Sequence, residues 1–586
     1  MNTSSPKSPT NVLNTALTSK AVPLEEAIRR HIKPGMKIHL AGGIGGPGAA
    51  TCEIIRQFYG KKPGFVLIQS TVTGHSLNLL YCNLLRKLIF SACMDISTSS
   101  RPSKIMQKIW AERSIEVENW SLCSLQQRLM AGSLGVDFLP TRSISGSTIA
   151  QDNRMSFQEI DSPFTEGAKT GIVKALNPDI SIVHGCVADS QGNTIMAIPY
   201  GDDLWGSLAS SNGVLVTVER IVSPDFISRH AAMVKIPSYM VNTVSEAPLG
   251  LHPFSLAGPG IDECESYESD KDFLVDLHKA SRERQLLDNW IKKWVLDCQT
   301  HADYLDKLGR EKISFLKKID GNSTHKDKPG LDVTAISEKE TEYSQEELLI
   351  VIAAREIMQS IIESGHKVIL LGAGSRAISG VMAYFQLRAR GYELEPITGN
   401  GQFGYEPQAG EIASQTVSSI CSSKMVTDTI TTHGIFVGGE NNKCLSVLGA
   451  GQIDKYGNIN STLTSDGQFL VGSGGGNDAV NAREVIVILN QTKDRFQDSL
   501  AFITGSGKRV KKVISTMGVF KKTPALGELH LAACFPDPHF SGMNEQIKQI
   551  QDNCGWPLKL NNDIHEVQKP TSEELALLRR LLPSNV

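Results

Sequence analysis

The chain has 586 residues, of which 40% are hydrophobic and 21% are charged, and its formal net charge is −3. This length favours two large domains or several smaller ones. The small net charge provides no broad field for nucleic acid or an anionic membrane surface, so neither is expected as a partner. The 11 cysteines include no CxxC pair, which favours reduced thiols in the cytoplasm and argues against structural zinc.

The N-terminal part of the chain predicts a polar tail followed by the first α/β elements. Residues 1–20 are rich in Ser, Thr, Asn and Pro and predict a disordered tail. A helix is predicted over residues 24–31, ended by Pro34 and Gly35, and a buried strand over residues 37–41 runs into a glycine-rich loop. Helical segments separating short Val- and Ile-rich strands are typical of a covered, mostly parallel sheet. Such strands are predicted at residues 65–69, 179–184, 213–219 and 239–244.

The middle of the chain predicts a helical arm and then a linker. Residues 267–319 are charged and helical in pattern. Four apolar side chains there recur at helical spacing: Leu287, Trp290, Ile291 and Trp294. We expect this stripe to pack on the first domain, with a partner helix as the alternative. Residues 320–343 are polar and of mixed charge and predict a linker, after which Ser344 and Glu347 fit a capping box for a helix ending at Gly365.

Two landmarks occur twice in the same order. Residues 35–42 and 365–372 each run from Gly through Lys and Leu to Gly at matching offsets, and residues 189–193 and 454–458 share an Asp-x-x-Gly-Asn pattern. Either pair alone fits a hairpin turn or a strand start, but both in series indicate a duplicated unit. We therefore predict an α/β fold of two tandem, related, open domains with a ligand cleft between them. The predicted bounds are residues 21–319 and 344–586.

The densest glycine cluster lies at residues 472–478, which read GSGGGND. Consecutive glycines let several backbone N–H groups converge on one point, as an oxyanion or a phosphate requires. A purely structural turn is the alternative. The cluster has neither a Walker lysine nor a GxGxxG register, so it is not a nucleotide fingerprint.

Together with this cluster, two further segments resemble the β half of family I CoA-transferases: TGNGQFGYEP at residues 398–407 and GQIDKYGNINST at residues 451–462. The first half is similar to the α half of that family, and the glutaconate CoA-transferase branch is the one that it resembles. The matching segments of the first half are residues 33–36, 118–121, 128–132 and 138–143.

The resemblance implies an enzyme that clasps an acyl-CoA between its halves. Coenzyme A is then part of the substrate, a carboxylic acid is the acceptor, no metal is required, and the chain assembles into a homo-oligomer. Positions implied to bind CoA are Gly401, Gln452, Gly472, Gly474, Gly475, Gly476 and Asn477.

In that family a glutamate carboxylate attacks the acyl-CoA thioester, and the enzyme then carries CoA as a thioester. Alignment through Asn400, Gly401, Gly404 and Pro407 puts this glutamate at position 399, where the present chain has Gly399. The resemblance also implies a catalytic position at the neighbouring Asn400. A glycine has no side chain that can attack, so covalent transfer cannot run through this position. Glu395 and Glu406 are poor substitutes, because several extended residues separate each of them from the turn.

Relatives of this branch that lack the glutamate indicate what the scaffold can do instead. Some are decarboxylases of glutaconyl-type CoA esters, and others are hydrolases that act by retro-Claisen cleavage. In the hydrolases the acting carboxylate lies in a Glu-x-x-Ser stretch, which matches Glu118 to Ser121 here. Glu118 is therefore the candidate general base. The alternatives are a structural carboxylate at Glu118 and, for the whole chain, an acyl-CoA-binding protein without chemistry.

The histidines complete the candidate list. No His, Cys and Asp cluster has metal-ligand spacing, so no metal site is expected. His184, His252 and His433 are each predicted to be hydrogen-bonded structural residues, because the sequence places no catalytic partner beside them.

Overall fold

The computed structural model describes residues 18–42, 44–96, 100–317, 342–372, 376–408, 410, 416–522, 527–536 and 542–582. The strands of the first half are β1 Lys37–Ala41, β2 Phe65–Val72, β3 Leu85–Ile96, β4 Ser100–Pro102, β5 Glu116–Asn119, β6 Phe138–Thr141, β7 Phe157–Asp161, β8 Lys169–Lys174, β9 Ile180–Asp189, β10 Thr194–Met196, β11 Val214–Val222, β12 Val234–Ile236 and β13 Val241–Glu246. Those of the second half are β14 Val368–Leu371, β15 Glu395–Ile397, β16 Gln402–Phe403, β17 Met425–Val426, β18 Cys444–Gly449, β19 Gln452–Asp454, β20 Ile459–Asn460, β21 Glu484–Leu489, β22 Phe496–Gln497, β23 Val510–Ser515, β24 Gly518–Lys521, β25 His530–Cys534 and β26 Leu560–Glu566.

The helices separate these strands. They are α1 Leu24–His31, α2 Gly48–Phe58, α3 His75–Tyr81, α4 Lys104–Glu112, α5 Leu122–Leu134, α6 Thr148–Asp152, α7 Asp203–Leu208, α8 Pro224–Arg229, α9 Lys271–Ala280, α10 Arg284–Ile291, α11 His301–Leu308, α12 Arg310–Lys317, α13 Gln345–Ser364, α14 Ala377–Ala389, α15 Val417–Cys421, α16 Gly476–Ala479, α17 Met543–Asp552 and α18 Ser572–Leu581. Short 3₁₀ segments are Ala231–Met233, Ser238–Met240 and Gly507–Arg509, and π-helical segments are Lys292–Leu296 and Ile430–Val437.

Each half is built around a mixed sheet of ten strands within the part of the chain that the structure describes. In the first sheet β1 lies between β2 and β9 and runs parallel to both, and β3, β5, β11 and β13 extend it in parallel pairs. In the second sheet β14 lies in the same way between β15 and β18, with β21 and β23 beyond. The predicted α/β fold of two related domains is confirmed.

Local signals located several elements closely. The helix predicted over residues 24–31 and the strand over residues 37–41 have the observed bounds. Ser344 caps α13 through the predicted box with Glu347, and Gly365 ends that helix in the left-handed conformation. The other predicted strands are confirmed as β2, β9, β11 and β13, each extending further at its C-terminal end.

The repeated Asp-x-x-Gly-Asn pattern forms the same turn twice. Asp189 Oδ1 accepts the backbone N–H groups of residues 191–193, and Asp454 Oδ1 accepts those of Tyr456 and Asn458. In both turns the closing Asn donates its side-chain amide to the other oxygen of the Asp, at 2.8 Å. Each turn joins two antiparallel strands into a hairpin. The hairpin reading of the pattern and its repetition in both halves are therefore both correct.

The predicted helical arm closes the first half. Leu287, Trp290 and Ile291 are buried in the same hydrophobic cluster as residues of α1, α2 and β2, with Trp294 packed against it. This confirms the expectation that the stripe faces the first domain. The predicted linker at residues 320–343, apart from 342 and 343, lies outside the described residues, as do residues 1–17 of the predicted tail and Gly43 of the first glycine loop. The domain bounds stay a prediction.

Candidate active site

The glycine-rich loop of the second half docks onto the edge of the first sheet. Gly474 donates its N–H to the carbonyl of Ser91 at 3.0 Å, and Cys93 donates to the carbonyl of Val471 at 2.9 Å. At the start of α5, Leu122 donates to the carbonyl of Gly474 at 3.1 Å. We call this contact of residues 471–478 with β3, β5 and the start of α5 the seam.

Asn119, at the end of β5, fastens the seam. Its Oδ1 accepts the N–H of Ser473 at 3.0 Å, and its Nδ2 donates to the carbonyl of Ser91 at 2.8 Å. The N–H of Gly472 in turn donates to the carbonyl of Ser461 at 3.1 Å. The N–H groups of residues 472–474 thus hold the protein together, and the prediction that they converge on an oxyanion is wrong for these three.

The last two residues of the loop contact residues 143 and 144 and the first turn of α5 in the first half. Asn477 accepts the N–H of Ile144 at 2.7 Å. Asp478 accepts the N–H of Cys123 at 2.9 Å and the hydroxyl of Ser143 at 2.7 Å. Because Cys123 lies in the first turn of α5, the carboxylate sits where the partial positive charge of a helix N-terminus stabilises it.

The turn that carries Gly399 connects β15 to β16 next to the seam. The carbonyl of Gly399 accepts the hydroxyls of Thr429 at 3.1 Å and Thr432 at 3.0 Å. These threonines lie at the start of the π-helical segment Ile430–Val437. Asn400 accepts the hydroxyl of Thr398 through its side chain. The turn and the π-helical segment are therefore held as one unit.

The imidazole of His433 fills the space in which a side chain at position 399 would lie. A Cβ placed on Gly399 would lie 2.3 Å from His433 Nε2, and a Cβ placed on Gly475 would lie 2.8 Å from the same atom. Both distances are shorter than real side-chain contacts allow. A side chain at either position would therefore require the ring to move.

The prediction that His433 is hydrogen-bonded is wrong. The residue is 4% exposed, and neither ring nitrogen has a partner among the described residues. Burial lowers the pKa of His433, and the nearby Asp478 carboxylate opposes this effect. An unsatisfied buried polar group costs about 1–3 kcal/mol, and such groups call for an explanation in function or ligand binding.

The other two histidines are structural, as predicted. His184 contacts Thr217 Oγ1 at 3.0 Å and Glu219 at 2.9 Å, while His252 contacts Tyr304 at 2.6 Å and Asp270 at 3.4 Å. Both ring nitrogens of each residue thus have partners.

Asp202 brings a further carboxylate from the first half to this place. Thr429, whose hydroxyl also contacts Gly399, donates to Asp202 Oδ1 at 2.7 Å. Burial raises the pKa of Asp202 to about 6, against the favourable hydrogen bonds from Thr429 and Ser70. No sequence pattern points to this residue, because Thr429 and the turn beside it lie in the second half.

Comparison with known proteins places the chain in a family. Residues 22–247 match the family model described as coenzyme A transferase. One of the two glutaconate CoA-transferase subunits of Acidaminococcus fermentans is 27% identical over 332 residues, which cover 53% of this chain and 98% of the relative. One of the two 3-oxoadipate CoA-transferase subunits of Pseudomonas knackmussii is 35% identical over 153 residues, covering 23% of this chain and 56% of the relative.

A solved structure shows the same fold over nearly the whole chain. An acyl-CoA transferase of E. coli O157:H7, in a thioester complex with CoA, aligns with a TM-score of 0.65 at 15% identity and covers 96% of this chain and 98% of its own. Residues 22–247 of the chain thus belong to the coenzyme A transferase family. Both subunits of each two-subunit relative match this chain, as expected for two halves fused in one polypeptide.

Glu118 occupies an ion-pair network in the first half of the chain. Its carboxylate lies 2.5 Å from Lys87 Nζ and 3.3 Å from both Arg128 and the indole N–H of Trp120. These contacts outweigh burial and lower its pKa. Because successive side chains of a strand point to opposite faces, the contact of Asn119 with the seam directs Glu118 away from it. The base role of Glu118 stays a prediction, and its surroundings favour a structural ion pair.

The remaining predicted positions have structural partners as well. Gln452 donates to the carbonyl of Asp494 at 2.9 Å and accepts from Asn460 at 2.8 Å within the small sheet β20-β19-β22. Glu395 pairs with Lys424, and Glu406 accepts the hydroxyl of Tyr384. CoA binding by Gly401, Gln452 and the glycine loop stays a prediction.

No group of three or more His, Cys, Asp or Glu side chains among the described residues is arranged to hold a metal ion. Over the same part of the chain, no helix is both long and apolar enough to cross a membrane. All eleven cysteines are free.

Proposed function

We propose that this protein processes acyl-CoA thioesters beside the seam, with CoA transfer from an acyl-CoA to a carboxylic acid as the nominal reaction. The observation that carries the proposal is that the Gly399 turn, the glycine-rich loop and the start of α5 meet at one place between the halves. The relatives that match the chain are named for CoA transfer.

CoA is proposed to enter as part of the substrate. The positions proposed to contact it are Gly401, Gln452, Gly472, Gly474, Gly475, Gly476 and Asn477. Of these, Gly474, Gly475 and Gly476 are partly exposed, so a ligand can reach them without unfolding the seam. We further propose that the protein works as a homo-oligomer in the cytoplasm.

Thioester hydrolysis is the second candidate, and one observation favours it. Covalent transfer needs a nucleophilic side chain, and position 399 has neither a side chain nor room for one beside His433. Hydrolysis needs only an activated water, so the loss of the carboxylate does not prevent it.

An assay with and without an acceptor separates these reactions. The protein is incubated with short, branched and dicarboxylic acyl-CoAs, alone and with acetate or succinate, and free thiol and new CoA esters are measured. A new CoA ester that forms only with an acceptor supports transfer, whereas thiol release without an acceptor supports hydrolysis. If every acyl-CoA stays unchanged under both conditions, the proposed function is wrong.

A further inference from the structure

The slot that holds His433 is built from two loops of the site. Gly399 comes from the turn where the family resemblance places the nucleophile, and Gly475 comes from the glycine-rich loop. A Cβ at either position would lie within 2.8 Å of Nε2. Since a side chain at either glycine would meet the same nitrogen, this atom marks the point where the two loops converge.

The position of the ring is fixed on several sides. Thr429 and Thr432 bind the carbonyl of Gly399 and so fix the start of the segment that carries His433. The first half covers the slot through α5. Leu122 Cδ1 would lie 3.4 Å from a Cβ at Gly475, and Cys123 Sγ would lie 3.6 Å from one at Gly434.

The groups that face the ring leave it available as a base. Burial lowers the pKa of His433 below its ordinary value, and the carboxylate of Asp478 on α16 opposes this effect without cancelling it. The thiol of Cys123 on α5, which lies beside Gly434, has a pKa raised by burial, so it is uncharged near neutral pH. Asp202 and Asp428 also belong to this cluster of charges. At neutral pH the imidazole is therefore neutral and can accept a proton.

The way to Nε2 leads through the two glycines. Their backbones cover the nitrogen, and both residues are themselves partly exposed. No side chain at position 399 or 475 stands between the nitrogen and these two partly exposed turns.

We propose that His433, whose ring fills the space of a side chain at position 399, is the general base that activates water against the acyl-CoA thioester. This inference rests on the proposed function in its hydrolytic form. Nε2 takes a proton from water while the water oxygen forms a bond to the thioester carbonyl carbon. The tetrahedral intermediate then breaks its C–S bond, and the imidazolium returns the proton to the CoA thiolate. One acyl-CoA and one water give one carboxylic acid and one CoA thiol.

The test compares His433→Gln with the wild type, using the acyl-CoA that the wild type cleaves fastest. Gln keeps a polar amide in the slot but cannot accept a proton near neutral pH. We expect kcat/KM for thiol release to fall by about 10²-fold or more. The wild-type rate is expected to rise with pH through a limb below pH 6.5, the ordinary histidine value, and the residual rate of the variant is expected to lack this limb.

His184→Gln is the matched control, because it removes a buried histidine that is paired with Thr217 and Glu219. It is expected to lower stability and to keep the pH limb. Retention of rate and limb in folded His433→Gln, or an acyl group trapped on His433 by mass spectrometry, would overturn the general-base role while the proposed function stands. A wild type that leaves all acyl-CoAs unchanged overturns the proposed function, and the inference with it.

Discussion

Gly399→Ala tests whether the imidazole of His433 excludes a side chain from position 399. The new Cβ would lie 2.3 Å from Nε2, and the ring cannot retreat toward Gly475, where the corresponding distance is 2.8 Å. The backbone of Gly399 is outside the left-handed region, so the overlap alone sets the cost. Overpacking of this kind costs about 1–3 kcal/mol in the free energy of unfolding.

The measurement is urea unfolding of Gly399→Ala, His433→Ala and the double variant, with midpoints compared at equal m-values. The double variant has no overlap, because the imidazole is gone. Its loss of unfolding free energy should therefore be about 1–3 kcal/mol smaller than the sum of the losses in the two single variants. Gly476→Ala is the control, because its Cβ would meet only Ser461 Oγ at 4.0 Å, and it should be neutral or slightly stabilising. If Gly399→Ala behaves like this control, or if the costs simply add, the slot does not have the described geometry.

Three further substitutions test other parts of the structure. Glu118→Gln is expected to lower the free energy of unfolding by about 1–3 kcal/mol, because it leaves buried Arg128 without its counter-charge. The rate of thiol release is expected to stay within about tenfold of the wild-type rate. A larger loss of rate in a folded variant would support Glu118 as the general base. Asp202 has a pKa of about 6 in the fold against 3.8 ordinarily. The folded protein therefore holds this proton more tightly, and its stability should fall by up to about 3 kcal/mol as the pH rises through 6. Urea unfolding of the wild type and of Asp202→Asn is compared below pH 4 and at pH 7. The variant should lack the fall in unfolding free energy that Asp202 causes. If both proteins show the same pH dependence, the raised pKa of Asp202 is wrong. Asp189→Ala and Asp454→Ala should each cost about 1–3 kcal/mol in thermal or urea unfolding, since each turn loses its carboxylate bonds to backbone N–H groups, three at Asp189 and two at Asp454. A variant as stable as the wild type would argue against the described turn.

The sequence predicted those parts of the fold whose signals are local. Pro34 and Gly35 end the region of α1, and Ser344 and Gly365 bound α13, because caps and breakers act within a few residues of themselves. Strand β3 was not predicted, since its burial depends on neighbours on both sides of the sheet.

The site was predicted less well because its contacts join distant segments. The loop at residues 472–478 was recognised, but the N–H groups of Ser473 and Gly474 have their partners in the first half, which no local pattern shows. The role of His433 depends on the absence of side chains at Gly399 and Gly475, and no spacing in the sequence connects these three positions. Glu118 was selected through a local motif match, whereas the seam contacts its neighbour Asn119.

The docking of the glycine-rich loop onto the first sheet bears on the use of a single polypeptide. The hydrogen bonds between Ser91, Asn119 and residues 471–474 need no covalent connection, so two separate chains could form them as well. A covalent connection changes their encounter from bimolecular to intramolecular and sets a fixed effective concentration. The fused chain is therefore expected to keep its catalytic centre intact on dilution, under conditions in which halves produced as independent polypeptides would dissociate.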